Sequence, residues 1–151
     1  MTHPEISYTV GYLGHFSSNL RPRHWAAVKY LFQYLKGSMD YKLTYSGKDT
    51  SVVFDIYCDA SHGDCLDFGH STGRYLTVTG GGAIGWSSKL QLIVVLTSTE
   101  AEYIAATKAA KEILWMHNIL HEFGFLQHGA SHFHIDNQSA ISVSKNPEHF
   151  G

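Results

Sequence analysis

The stretch LTSTEAEYIAATKAAKEILWMHNIL at residues 96–120 decides the fold, because it reads as one long amphipathic helix. From Glu102, steps of four and three residues meet an unbroken apolar series: Ala106, Ala109, Ile113, Met116 and Leu120. Side chains at this spacing share one helix face, and a globular protein buries such a face. Glu102 is therefore the first residue of the buried face. A carboxylate in such a position has to be explained by its chemistry.

The composition is that of an ordinary globular chain, with 151 residues, 44% of them hydrophobic and 16% charged. This length suits one domain with a core and an attached element. A formal net charge of −2 gives no general attraction to nucleic acid, so such contacts would need a local basic patch or metal ions.

Cysteine usage and hydropathy predict a soluble intracellular protein, in the cytoplasm or the nucleus. Cys58 and Cys65 are too few for a disulfide framework and indicate a reduced setting. No signal sequence and no run of about 18 apolar residues is visible, so we expect no membrane contact.

The first third of the chain predicts a helical tether. Residues 4–18 and 23–38 have helical periodicity, and Gly37 supplies a stop for the second helix. Residues 40–47 alternate Tyr41, Leu43 and Tyr45, which predicts a strand with one buried face. We expect the boundary near Lys48, so that residues 1–48 form the tether and residues 49–151 the main domain.

From residue 52 the pattern becomes α/β. Strands are predicted at 52–58, 73–80 and 82–88, with a glycine turn at 80–82, and residues 90–97 predict a strand or a strand extension. A strand at 131–136 and a helix at 138–146, ended by Pro147, follow the long helix. A helical crossover makes strand 131–136 parallel to strand 52–58, and their carboxyl ends then form a switch point of the kind that holds ligand sites.

Three acids converge in this topology. Asp59 follows the first strand, Asp136 follows the fourth, and Glu102 reaches them from the helix. Carboxylates without a basic residue in the same motifs repel one another and need a positive partner, for which Mg²⁺ or Mn²⁺ is suited. Two such ions about 3.5–4 Å apart favour phosphodiester hydrolysis. The alternative is that each acid is only a turn former or a cap, as Asp136 could be for the following helix.

Three segments, YCDAS, SSKLQLIVVLTSTEAEYIAATKAAKEILWM and IDNQSAISVSKNP, resemble the ribonuclease H region of copia-type LTR retrotransposon Pol polyproteins. The segments HPEISYTVGYLGHF and RHWAAVKYLFQYLKGSMDYKLTYSG resemble the end of the preceding reverse transcriptase, in its thumb or connection. The resemblance implies a ribonuclease H-like mixed sheet at 49–151 after a reverse transcriptase remnant at 1–48. It also implies endonucleolytic hydrolysis of the RNA strand of RNA–DNA hybrids with two Mg²⁺, or Mn²⁺, ions.

The resemblance assigns roles to individual residues and names partners. Asp59, Glu102 and Asp136 become the catalytic and metal-binding acids, with Glu102 bridging the ions and Asp136 helping to hold the water-side ion. Glu100 is the extra acid of the E-A-E-Y motif and helps position the helix start, where negative charge suits the helix dipole. The implied partners are an RNA–DNA hybrid and the reverse transcriptase core or another Pol segment, with no small-molecule cofactor.

Two departures from the family pattern leave a second function open. The family continues past N-P with a fourth acid and further structure, so we expect an incomplete C-terminus here. Leu90 and Leu92 stand where lysine is usual, which weakens phosphate contacts. The alternative is a catalytically weak or inactive truncated fragment that acts as a nucleic-acid or protein-binding module.

Other polar residues are weaker candidates for substrate contacts. Ser61, Asn137 and Gln138 flank the acids and could bond a sugar 2′-OH, although a turn or capping role is open for each. Lys89, Arg74 and Lys108 are the nearest bases for phosphate, or serve only solubility. The eleven histidines, such as His117, His121, His128, His132 and His134, match no known zinc spacing.

Overall fold

A computed structural model describes residues 3–46, 53–65, 69–125, 127 and 129–146. The chain divides into two compact units, Met1–Thr44 and Tyr45–Gly151. The boundary predicted near Lys48 and the helix stop predicted at Pro147 lie outside the described residues. Among the described helices, none combines the length and the hydropathy needed to cross a membrane.

The N-terminal unit contains a 3₁₀ turn at Pro4–Ile6, α1 at Ser7–His15 and α2 at Pro22–Gly37, so both predicted helices are confirmed. Pro22 occupies the first turn of α2, where the missing N–H costs no hydrogen bond. The rings of Phe16 and buried His24 lie 4.1 Å apart and join the two helices. Trp25 of α2 is 56% exposed and so is not a core residue.

The C-terminal unit carries one sheet and two helices. Its elements are β1 (Asp55–Ser61), β2 (Thr72–Thr79), β3 (Gly82–Leu90), α3 (Ser98–Glu122), β4 (His132–His134) and α4 (Gln138–Lys145). The strand order is β3-β2-β1-β4, in which β4 pairs with β1 in parallel and the other pairs are antiparallel. The predicted element order, the parallel fourth strand and the α/β class are confirmed.

The glycine turn between β2 and β3 is also confirmed. Gly80 and Gly81 have φ angles of 58° and 78°, a left-handed backbone that glycine adopts without steric cost. Two such residues give a hairpin turn whose twist matches that of the flanking strands. The turn therefore sets the register next to it, and a bulge between Thr77 and Val78 shifts the register over the rest of the β2–β3 hairpin.

The strand predicted at 40–47 is wrong over its described residues, and the strand or extension predicted at 90–97 is confirmed only at Leu90, the last residue of β3. In residues 41–46 only Ser46 bonds to the sheet by its backbone, at 2.8 Å to the carbonyl of Gly80, and both tyrosines of the alternation are exposed. The Gln91 N–H still donates to the carbonyl of Ser71 at 2.7 Å, but residues 92–97 form no strand and Leu92 is 92% exposed. Alternation or hydrophobicity alone does not make a strand where no neighbouring strand pairs with it.

The core lies between α3 and the sheet. It is formed by Phe54, Ile56, Cys58, Ala109 and Ile113, with Ala106, Met116 and Leu120 packed against it. The predicted stripe of α3 is therefore confirmed as the core-facing side. Small residues let the helix approach closely, since a Cβ added to Gly73 of β2 would lie 3.5 Å from the Cβ of Ala105. This packing turns the first part of α3 toward the edge where β1 and β4 end.

Candidate metal centre

Parallel pairing of β1 with β4 places two acids at one edge of the sheet. Tyr57 of β1 lies opposite His134 of β4 in the register. Asp59 follows Tyr57 by two residues, and Asp136 follows His134 by two residues, so both acids lie at the same level of the sheet. Buried Ile56 and Cys58 anchor this part of β1 in the core. Asp59 lies within β1 and does not follow it as predicted, because β1 runs on to Ser61, and Asp136 lies two residues beyond β4. The parallel register therefore fixes two of the three predicted acids.

A capping box fixes where α3 begins and thereby where Glu102 points. The side chain of Thr97 accepts a hydrogen bond from the Glu100 N–H at 3.2 Å. The Glu100 carboxylate in return accepts from the N–H groups of Leu96 and Thr97, at 2.9 and 3.3 Å. These bonds satisfy N–H groups that lack partners within the helix. Glu100 thus positions the helix start, as predicted, and Glu102 lies about one turn after Ser98, the first residue of α3.

The three acids come together in the structure. One carboxylate oxygen each from Asp59, Glu102 and Asp136 lies within 4.8 Å of the others. Glu102 is only 5% exposed, and its Oε1 accepts a hydrogen bond from the Ala60 N–H at 3.1 Å. This bond ties α3 to β1 next to Asp59. The predicted convergence is therefore present, and its role in binding metal stays a prediction.

The electrostatics of Glu102 and Cys58 are those of buried groups that lie beside carboxylates. Burial, followed by the neighbouring charges of Asp59 and Asp136, raises the pKa of Glu102 against the opposing effect of the Ala60 N–H. Burial and the same acids raise the pKa of the Cys58 thiol to about 11. A cation bound among the carboxylates would stabilise their ionised forms.

The donor set fits a hard divalent cation. Carboxylate oxygens are the protein ligands that Mg²⁺ and Mn²⁺ prefer. Glu102 Oε2 is buried and has no hydrogen-bond partner among the described residues, which is costly unless a ligand reaches it. Among the residues that the structure describes, this is the only group of three or more His, Cys, Asp and Glu with the spacing of a metal site.

Arg74 is part of the site, although sequence reasoning ranked it only as a weak phosphate contact. It lies directly opposite Asp59 in the β1–β2 register. Its Nη1 donates to Asp59 Oδ2 at 3.3 Å, and its Nη2 donates to Ser61 Oγ. The pairing of β1 with β2 brings Arg74 to Asp59. Only this register could have revealed the contact, because the two residues are far apart along the chain.

The other predicted contact residues have structural partners or lie apart. Asn137 caps α4, since its Oδ1 accepts from the Ala140 N–H at 2.9 Å, and Asp136 does not serve as that cap. Gln138 begins α4 and is exposed. Lys89 lies on β3, opposite Gly73 and two strands away from β1. Its contact with phosphate stays a prediction.

Two of the histidines share one partner, and a third bonds elsewhere. His117 bonds Ser131 Oγ at 2.9 Å, while His132 and His134 each bond Asp55 Oδ1, at 3.3 and 3.2 Å. None of these three contacts involves an acid of the cluster. His128 lies outside the described residues.

The chain is similar to retrovirus-related Pol polyproteins of transposons. It is 41% identical over 145 residues to the Pol polyprotein from transposon TNT 1-94 of Nicotiana tabacum, covering 96% of this chain and 11% of that protein. It is 32% identical over 146 residues to that from transposon RE2 of Arabidopsis thaliana, covering 97% and 10%. The chain thus spans about a tenth of the length of these polyproteins.

A third relative is matched over most of its own length. The chain is 35% identical over 116 residues to secreted RxLR effector protein 161 of Plasmopara viticola, covering 77% of this chain and 81% of that protein. No protein-family model matches the chain, and no solved structure matches it.

Proposed function

Since the chain belongs to the sequence family that retrovirus-related Pol polyproteins of transposons share with secreted RxLR effector protein 161, we propose that its C-terminal unit is a ribonuclease H-like domain. The proposed reaction is metal-dependent endonucleolytic hydrolysis of the RNA strand of RNA–DNA hybrids in retroelement reverse transcription. Residues up to about Lys48 are proposed to be the end of a reverse transcriptase. Other Pol segments are its proposed partners, inside the cell.

The convergence of Asp59, Glu102 and Asp136 is the observation that carries this proposal. Three segments distant in sequence supply one acid each, and one of those acids is buried without a full set of hydrogen bonds. A folded protein bears such a cost at a functional site more readily than elsewhere. The arrangement is therefore better explained by a bound cation than by three separate caps.

The three acids would hold Mg²⁺ or Mn²⁺ together with substrate phosphate oxygens. When bound, a pair of such ions supplies an activated water and stabilises the leaving oxygen of the phosphodiester. The chain supplies rigidity: the Ala60 N–H orients Glu102, and the Asn137 cap fixes the backbone directly after Asp136. Carboxylates fixed in advance need little rearrangement to bind an ion.

The substrate contacts belong to the same proposal. Ser61, Asn137 and Gln138 flank the acids, where a hydroxyl or an amide could bond the 2′-OH that distinguishes RNA from DNA. Ser61 and Asn137 already have protein partners, so each would have to exchange or share a hydrogen bond. Gln138 is exposed at the start of α4 and is the most accessible of the three. Lys89 and Glu100 are the less direct candidates.

Hydrolysis of a labelled RNA strand in a hybrid tests the proposal. The wild-type chain should cleave it when Mg²⁺ or Mn²⁺ is present. Asp59→Asn should lose more activity than the roughly 10–100-fold that loss of an outer-shell partner typically costs. Product length would show internal cleavage, and a DNA duplex of the same sequence should stay intact.

Asp55→Asn is the matched control. Asp55 is a carboxylate on the same strand, but its partners are His132 and His134 rather than the acid cluster. Its substitution should leave cleavage near the wild-type rate. If wild type and Asp59→Asn cleave at the same rate, the acids do not catalyse this reaction.

The second candidate is a non-catalytic binding module. It is favoured by the match to most of the length of a protein that is named an effector rather than an enzyme. In that case the chain would bind a hybrid or a protein without hydrolysing the RNA. Filter binding of the labelled hybrid, with intact RNA recovered afterwards, would favour this candidate over the nuclease.

A further inference from the structure

Arg74 and Asp59 form a cross-strand pair built into the β1–β2 hairpin. Antiparallel register places the two residues opposite each other. Opposite charges in such a position attract each other, and the hairpin presents Arg74 to Asp59 whenever the two strands pair. The contact is therefore a property of the fold rather than of one flexible side chain.

The contact engages one oxygen of a predicted metal ligand. Nη1 of Arg74 lies 3.3 Å from Asp59 Oδ2, and the other terminal nitrogen donates to Ser61. The guanidinium is thus held beside an acid whose remaining neighbours in the cluster are Glu102 and Asp136. A positive charge in this position partly does what a bound cation would do.

The pair is also exchangeable. The side chains of Arg74 and Asp59 are 37% and 50% exposed, and ion pairs in contact with water are weak. A divalent cation coordinated by three carboxylates can outcompete a single exposed guanidinium. Its binding must still overcome the attraction between Arg74 and Asp59, and the repulsion between Arg74 and the incoming ion.

We propose that Arg74 is an internal counter-cation that competes with the divalent cation for Asp59 and thereby lowers the metal affinity of the site. This inference rests on the proposed metal-dependent function. With Arg74 beside Asp59, the site binds a divalent cation only at a higher cation concentration than the three acids alone would require. It also makes the metal-free site more stable, because the acids then have a partner of opposite charge.

Thermal melting during a Mn²⁺ titration tests this competition without any measurement of catalysis, because an ion that binds the folded state raises the melting temperature. For Arg74→Gln, the Mn²⁺ concentration that gives half of the maximal shift should fall by roughly two- to fivefold, the factor that an exposed ion pair is worth. Arg74→Lys keeps the charge, so its midpoint should stay close to that of the wild type.

Lys111→Gln is the control for net charge. Lys111 is an exposed cation of α3, nine residues after Glu102 and so roughly 13 Å along the helix. At that distance the charge of Lys111 is largely screened at about 0.1 M salt. The Mn²⁺ midpoint of Lys111→Gln should therefore equal that of the wild type. A midpoint that falls in Arg74→Gln but in neither other variant supports the competition.

The failures of the inference and of the proposed function are distinguishable. If the wild type responds to Mn²⁺ and the midpoint of Arg74→Gln is unchanged or higher, the counter-cation inference is overturned and the metal site stands. If neither protein responds to Mn²⁺, both are overturned. A response in Arg74→Gln alone would support the inference, with Arg74 excluding the ion from the wild type.

Discussion

Glu102 is buried at the top of the core-facing side of α3, and burial together with Asp59 and Asp136 raises its pKa. In the unfolded chain the carboxyl group ionises near its ordinary value of 4.5. Above that pH the unfolded chain releases this proton more readily than the folded protein. The stability that protonated Glu102 contributes is therefore complete below pH 4.5 and is lost as the pH rises through the folded pKa.

Replacement of Glu102 by glutamine should stabilise the metal-free protein. Glutamine stays neutral and its Oε1 can still accept the Ala60 hydrogen bond, so Glu102→Gln should melt at a higher temperature than wild type at pH 7. The difference should vanish near pH 4, and Mn²⁺ should no longer raise the melting temperature of the variant. Melting curves between pH 4 and 8, with and without Mn²⁺, measure both effects.

Glu122→Gln provides the comparison for this prediction, because Glu122 is an exposed acid at the far end of the same helix. It should change neither the pH dependence nor the response to Mn²⁺. A metal-free Glu102→Gln protein that melts below wild type at pH 7 would show that the ionised carboxylate is stabilised by its surroundings.

Single residues differ in how far the sequence reveals them. The three acids follow from local patterns, since two lie in or just after strand-like segments and one begins a buried helix face. Arg74 does not, because its partnership with Asp59 depends on the register across the β1–β2 hairpin. The long connection between these strands gives no local signal for that register. Asn137 rather than Asp136 caps α4, since the helix begins one residue later than an Asp136 cap requires.

At the scale of elements, α3 carries the site because its start is fixed. The Thr97–Glu100 capping box ends the preceding loop and begins the helix one turn before Glu102. The helix could be predicted from its apolar spacing alone. The strands at residues 41–46 and 91–97 could not be judged in this way, because a strand depends on a neighbour that the local sequence does not show.

Loss of the capping box should loosen the metal centre. Thr97→Ala should lower the free energy of unfolding by about 1 kcal/mol, the usual cost of removing an N-cap side chain. Because the first turn then frays, the Mn²⁺ midpoint should rise as well. Chemical denaturation gives the first quantity, and the melting titration gives the second.

Thr107→Ala is the corresponding control within α3. Thr107 is exposed and its hydroxyl donates to the carbonyl of Tyr103 at 2.8 Å, a bond that contributes little to a helix. Alanine has the higher helix propensity, so this variant should be neutral or slightly more stable. Equal losses of stability in both variants would mean that the cap has no special role.

At the scale of the whole molecule, the acid cluster, its core and its capping contacts all belong to the unit Tyr45–Gly151. Residues 45–151 alone should therefore fold and keep the Mn²⁺ response of the full chain, with a midpoint within about twofold. A melting titration of this fragment, beside its Asp59→Asn variant, measures this. A folded fragment that does not respond to Mn²⁺ would show that the N-terminal unit is required for binding.

The short strand β4 has a consequence for how the metal centre assembles. Only three residues of β4 pair with β1, and these partners lie 77 positions apart in sequence, as Asp55 and His132 do. Closing so long a loop for so few backbone bonds is slow, and such an edge opens before the rest of the sheet. We expect Asp136 to join the other two acids late in refolding and to separate from them first in local opening. The ion affinity should therefore also depend on the pairing of β4 with β1.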